Sequence, residues 1–118
     1  MPINDWSDDI LIAEMADEPT FSEEMGALHK RVERSETVPD VIVDLKEITF
    51  LNSSNIAQLM QLRQMLHNRK RRLRVCSVDD QVWSMLLLTG LDKLFEFNDN
   101  VATALASLQI ESAEPPHS

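Results

Sequence analysis

Glycine is nearly missing from this sequence. The two present, Gly26 and Gly90, are too far apart to build a phosphate-cradling loop, and no G-x-x-x-x-G-K stretch occurs, so nucleotide enzymes built on such loops are disfavoured and no cofactor is expected. Cys76 is the lone cysteine, which rules out a disulfide within the chain and fits a reducing compartment. His29, His67 and His117 are far apart, with no Cys or His at ligand spacing, so no metal site is expected. Long apolar runs are missing too: "ILIA" and "MLLL" each stop after four residues, which argues against direct membrane insertion. The opening "MPINDWSDD" is acidic where a signal peptide is basic, and the expected location is cytoplasmic. Basic residues are outnumbered by 11 to 20, and the formal charge of -9 repels phosphodiester backbones, so nucleic acid is not an expected partner.

What is present is the composition of a globular domain. Hydrophobic residues make up 43% of the 118 positions, enough Leu, Ile, Val and Met to form a core that a disordered chain lacks. One domain over residues 1–110 is expected, followed by a disordered tail, "ESAEPPHS", over 111–118, where Pro115 and Pro116 sit in polar surroundings. Ile10 to Met15 reads as a strand, hairpinned through Ser7, Asp8 and Asp9 to a short first strand around Ile3 to Trp6. Phe21, Met25, Leu28 and Val32 recur at helical steps behind a Thr20/Glu23 capping-box pattern. "VIVDL", Val41 to Leu45, is β-branched and nearly all apolar, as a central strand covered on both faces would be. A helix carrying Ile56, Leu59, Met60 and Leu66 follows, then a strand over Leu73 to Val78. Asp79 is placed to cap the next helix and Gly90 to end it; "KLFEF" reads as a short strand, and Val101, Leu105 and Leu108 mark a last helix. Strands alternating with helices predict an α/β fold, with a mixed, largely parallel sheet and about four α-helices.

Few side chains suggest chemistry. The junction "LNSSN" has neither the flanking glycine nor the neighbouring histidine that a serine hydrolase requires, and no enzyme activity is expected. Trp83 is expected to pack at a helix face. The run "RKRRLR", Arg69 to Arg74, with Arg63 upstream, holds six of the eleven cations. Cations at a helix C-terminus favour the macrodipole and stay solvated; an anion-attracting contact patch is the other reading. Ser53 and Ser54 stand where a strand gives way to a helix. A serine there caps the free N-H groups of the first turn, and the same helix end also tolerates a phosphate, so cap and phosphorylation switch are both open.

Taken together, "VIVDLKEITFLNSSNIAQLMQL", "RLRVCSV" and "LLLTGLDKLFEF" resemble the STAS family, the fold of bacterial anti-sigma factor antagonists, over about Ile10 to Leu108. The most specific match is "FLNSSN" to the family junction F-x-D-S-S/T-G, with "TGLDKLFEF" similar to its helix-end SGL and last strand. The resemblance implies a non-enzymatic binding module that sequesters an anti-sigma factor acting as a serine protein kinase. Phosphorylation of Ser53, with Ser54 as second choice, ends the binding, and a metal-dependent serine phosphatase restores it. Asn52, Ser54 and Asn55 are then expected in the partner-binding surface. Asn52 replaces the usual aspartate and Asn55 the usual glycine, and "ADEPTF" lacks the usual G-x-L-D stretch. An alternative is a constitutive subunit or scaffold of a larger assembly, stressosome-like or transporter-associated, in which Ser53 is only a helix cap.

Overall fold

Apolar runs interrupted by helical periodicity produce a single layered sheet. The computed structural model describes residues 3–113. Its strands are β1 (Ile3–Asp5), β2 (Ile10–Ala16), β3 (Asp40–Glu47), β4 (Leu73–Cys76) and β5 (Glu96–Asn98), lying side by side in sequence order. Only β1 and β2 pair antiparallel; β2 with β3, β3 with β4 and β4 with β5 are parallel. The helices are α1 (Thr20–Arg34), α2 (Ser53–Asn68), α3 (Asp80–Thr89) and α4 (Val101–Ala113). The expected α/β fold with a central "VIVDL" strand is the one found.

Side chains alternate between sheet faces with a period of two. Leu11, Ala13 and Met15 of β2, Val41, Val43 and Leu45 of β3, and Leu73 and Val75 of β4 join one cluster with Phe21 and Leu28 of α1, Leu59, Leu62 and Leu66 of α2, and Val82 and Leu86 of α3. The intervening Ile10, Ile12, Ile42 and Cys76 pack on Ala104 and Leu108 of α4. Coverage on both faces explains why "VIVDL" has no polar alternation before Asp44. Trp83 meets Phe97 edge to face at 5.0 Å between ring centroids, as its expected packing role requires.

Several local readings change. The Thr20/Glu23 capping box does not form: Pro19 is the N-cap of α1, which makes Thr20 the first helical residue and takes its hydroxyl out of capping position. Glu18 accepts the Ser22 N-H instead, at 2.8 Å. The third expected strand ends at Cys76 because Ser77 turns left-handed, with φ of 62°. Gly90 ends α3 as expected, with φ of 76°, but the chain then makes a 3-10 turn over Leu91–Lys93, so only the end of "KLFEF" joins the sheet. Helix α4 continues through Ala113, three residues into the segment assigned to the tail, and residues 114–118 lie outside the described ones.

The basic run is also less solvated than expected. The Arg69 guanidinium donates to the carbonyls of Ser35 and Glu36 at 2.9 and 3.0 Å, closing the end of α1 rather than α2. Arg72 grips the Asp40 carboxylate through Nη2 at 2.7 Å and through its own backbone N-H at 2.7 Å, with Arg71 Nε at 3.3 Å. Arg74 is only 7% exposed. These cations tie the start of β4 to the start of β3.

Candidate functional site

Between β3 and α2 the chain alternates hidden and displayed residues. Ile48 and Leu51 are each 1% exposed, anchoring a loop that leaves Phe50 59% exposed. Asn52 then takes the extended conformation of an N-cap, with φ of -87° and ψ of 174°. Its Oδ1 accepts the Asn55 backbone N-H at 2.7 Å, and the Asn55 Oδ1 accepts the Asn52 N-H at 3.1 Å. This reciprocal pair is a capping box closed by two asparagines.

Ser53 and Ser54 are therefore not caps. They are the first two helical residues, both exposed, and neither hydroxyl has a hydrogen-bond partner among the described residues. The expectation that a serine would cap fails because asparagine serves at least as well there, and Asn55 supplies the returning acceptor. Asn55, expected in the partner surface, is 2% exposed and works from beneath. Asn52 is half-buried beside the two displayed serines. Asn52→Ala should lower stability by about 1 kcal/mol in urea unfolding, whereas Ser53→Ala and Ser54→Ala should each stay within about 0.5 kcal/mol of the parent.

Asp17, Glu18, Thr49 and Phe50 complete this loop, the first two from more than thirty residues away in sequence. Asp17, at the end of β2, accepts the Thr49 backbone N-H at 3.0 Å and its hydroxyl at 2.6 Å. Glu18 accepts from the Asn55 side-chain amide at 3.0 Å while also taking the Ser22 N-H and hydroxyl. "ADEPTF" thus braces the serine loop across more than thirty residues of chain, a contact written in no local pattern. Phe50 is the remaining member, a displayed aromatic beside the serines. No acidic side chain lies in the first turn of α2, so the carboxylate facing its positive end comes from Glu18.

The Thr49 hydroxyl and N-H hold the Asp17 carboxyl below its ordinary range, and the Ser22 hydroxyl and N-H, then Asn55, do the same for Glu18. Depressed carboxyl groups contribute stability above the unfolded-state pKa and lose it as pH falls through the folded one. The stability difference between the parent and the Asp17→Ala/Glu18→Ala variant should therefore be constant near neutrality and shrink below about pH 4.5. Urea midpoints measured at successive pH values check this.

Other reactive groups are absent from the site. Burial raises the Cys76 thiol to about 11, with nearby Asp44 adding to the effect against a hydrogen bond from Ser77. Such a thiol is a poor nucleophile. Among the described residues no cluster of His, Cys, Asp and Glu could hold a metal ion, and no helix is long and apolar enough to cross a membrane.

A capped helix start displaying two serines after the middle strand of this sheet coincides with a match to the family model of the STAS domain, covering residues 8–104. The chain belongs to the STAS domain family. An anti-sigma F factor antagonist of Paenibacillus polymyxa is 26% identical over 72 residues, 61% of this chain and 62% of that protein's length. The likeness therefore spans under two thirds of the relative. Among solved structures, an anti-sigma-factor antagonist (STAS) domain protein from Planctomyces limnophilus superposes with a TM-score of 0.76 at 16% identity, covering 91% of this chain and 97% of that one. The Bacillus cell fate determinant SpoIIAA in its phosphorylated form superposes with a TM-score of 0.70 at 9% identity, covering 90% and 96%. Its unphosphorylated form gives the same TM-score of 0.70, so this STAS fold resembles both forms equally.

Proposed function

We propose that this STAS domain is an anti-sigma factor antagonist that binds an anti-sigma factor with serine kinase activity through the start of α2, and that phosphorylation of the Ser53 hydroxyl ends that binding. The observation that carries the reading is the Asn52/Asn55 capping box, which relieves Ser53 of any structural duty and leaves its hydroxyl in solvent. A phosphate placed there sits against the positive end of a helix and leaves the fold intact, so its effect falls on the binding surface. Equal superposition on both forms of SpoIIAA is in keeping with a switch that acts without refolding. Ser54, one residue further into the helix and equally exposed, is the second acceptor candidate. Phe50 adds the apolar contact, and Asn52 and Asn55 set the loop's geometry. A metal-dependent serine phosphatase would reverse the modification.

Intact-mass measurement and site mapping of the protein from its native cells, joined to pull-down with the unmodified and modified forms, test this reading. Phosphoserine at residue 53 and a kinase captured by the unmodified form alone are expected. Capture of transporter or scaffold subunits, with no phosphate on either serine, would replace the switch with a constitutive assembly role.

A further inference from the structure

The end of the sheet opposite the serines carries the basic run of Arg69 to Arg74. Ser53 follows the C-terminal end of β3, whereas Val41 and Leu73, paired at the starts of β3 and β4, mark the other end. A cleft of about 460 Å³ opens there between α2, the β4 and β5 starts and α4, with Arg63, His67, Arg71 and Phe95 among its walls and Glu96 as the one carboxylate lining it among the described residues. A second depression of about 550 Å³ shares Arg71 and Arg72 with it, adds Asp9 and Asp40, and reaches Trp6, which is 45% exposed. Four arginines against one carboxylate among the described residues lining the first cleft are unusual on a chain of net charge -9.

We propose that this cleft docks an extended acidic polypeptide segment of a partner protein. Field complementarity is the first ground, because acidic chains are repelled elsewhere on this surface and drawn to this one. The arrangement of donors is the second. Arg63 is held in place by its Nε, which donates to the Leu94 carbonyl at 2.6 Å, and its terminal nitrogens have no partner among the described residues. His67 stands one turn further along α2 and is exposed. Positions four apart on a helix lie about 6 Å from each other, close to the roughly 7 Å between alternate side chains of an extended chain. A compact phosphate would instead need donors converging on one point. Here Arg72 is committed to Asp40, and Arg71 leans on Asp40 and on the Asp9 carbonyl, so these donors do not converge with Arg63 on one point.

Fluorescence anisotropy with a labelled peptide in which glutamate alternates with serine, titrated with the full chain at two ionic strengths, tests the site. Saturable, salt-sensitive binding is expected, at least about tenfold weaker for the Arg63→Glu/His67→Glu variant, because the attraction at Arg63 becomes a repulsion and a second carboxylate is added beside it. The Arg63→Lys variant, which keeps the charge, should retain the affinity and so separates charge from packing. Ser53→Asp should leave it unchanged, which distinguishes this site from the serine surface. Absence of saturation, equal binding by the charge-reversed variant, or loss of binding in Ser53→Asp overturns the proposal. Displacement of the peptide by inorganic phosphate or ATP at their own saturating concentrations overturns it in favour of a small phosphoanion.

Discussion

Asp40→Ala should cost the fold about 3 kcal/mol, a loss of more than a hundredfold in the folding equilibrium. The carboxylate is 3% exposed at the first residue of β3, and it takes the backbone N-H, Nε and Nη2 of Arg72 while lying near Arg71. Its removal strands two guanidinium groups and an N-H at the junction of β3 and β4. Breaking a buried pair from one side typically costs about 3 to 5 kcal/mol. The lower end applies because both arginine side chains are 31% exposed and reach water by turning outward. Removing the arginines instead is the more damaging operation: Arg71→Ala/Arg72→Ala leaves a charge whose side chain is only 4% exposed with neither cation, and should fall nearer 5 kcal/mol. Arg72→Ala alone should be milder, since Arg71 remains within reach. Urea unfolding decides, with midpoints shifting at an unchanged denaturant slope. A cost below about 1 kcal/mol for Asp40→Ala would show that the cluster is surface ornament despite its burial.

How much of this was legible from the residues depends on whether the controlling interaction is local. Asp79 as a cap, Gly90 as a helix stop and "VIVDL" as a doubly covered strand were readable, because each rests on the conformational preference or burial pattern of a few consecutive residues. The end of the third parallel strand was not, since nothing in "CSVDD" announces that Ser77 turns left-handed. At the serine loop, the strand-to-helix junction lies where the sequence places it, but the cap is Asn52 and not a serine. Asparagine, serine and serine in succession offer three competent caps, and the choice is made by Asn55 reaching back and by Glu18 holding its amide. That second contact is tertiary. The same is true of Asp17 with Thr49, and of Arg69 closing α1 in place of α2. Charge runs were the least legible feature, because sequence shows where cations cluster but not which carboxylate or carbonyl the fold carries to them.

The two ends of the sheet therefore divide the labour of the domain. At one end, polar side chains are spent on anchoring strands and leave a fixed patch of positive charge. At the other, half-buried Asn52, buried Asn55 and the bracing carboxylates of Asp17 and Glu18 hold a loop whose displayed residues are free of structural duty. Changes to displayed residues there should alter binding and spare folding.

Ser53→Asp should bind the anti-sigma kinase at least about tenfold more weakly than the parent, and the phosphorylated protein about a hundredfold or more, while unfolding midpoints stay within about 0.5 kcal/mol. The near-neutral effect on stability follows from position: an anion at the first helical residue meets the partial positive charge of α2, which has no acidic side chain in its first turn. The effect on binding follows from desolvation. An uncompensated charge closed into an interface costs several kcal/mol, and each 1.4 kcal/mol is tenfold in affinity. Phosphate brings about 1.5 to 2 negative charges against one for aspartate, so the modified protein should lose more than the mimic. Ser53→Ala removes only an unpartnered hydroxyl and should bind as the parent does. Ser54→Asp calibrates the assignment: a smaller loss than at Ser53 is expected, and a larger one would move the acceptor one residue into the helix. Calorimetric titration against the kinase recovered by pull-down measures all five proteins on one scale. Should Ser53→Asp and Ser53→Ala bind it equally well, charge at this hydroxyl does not control the interface and the switch is lost.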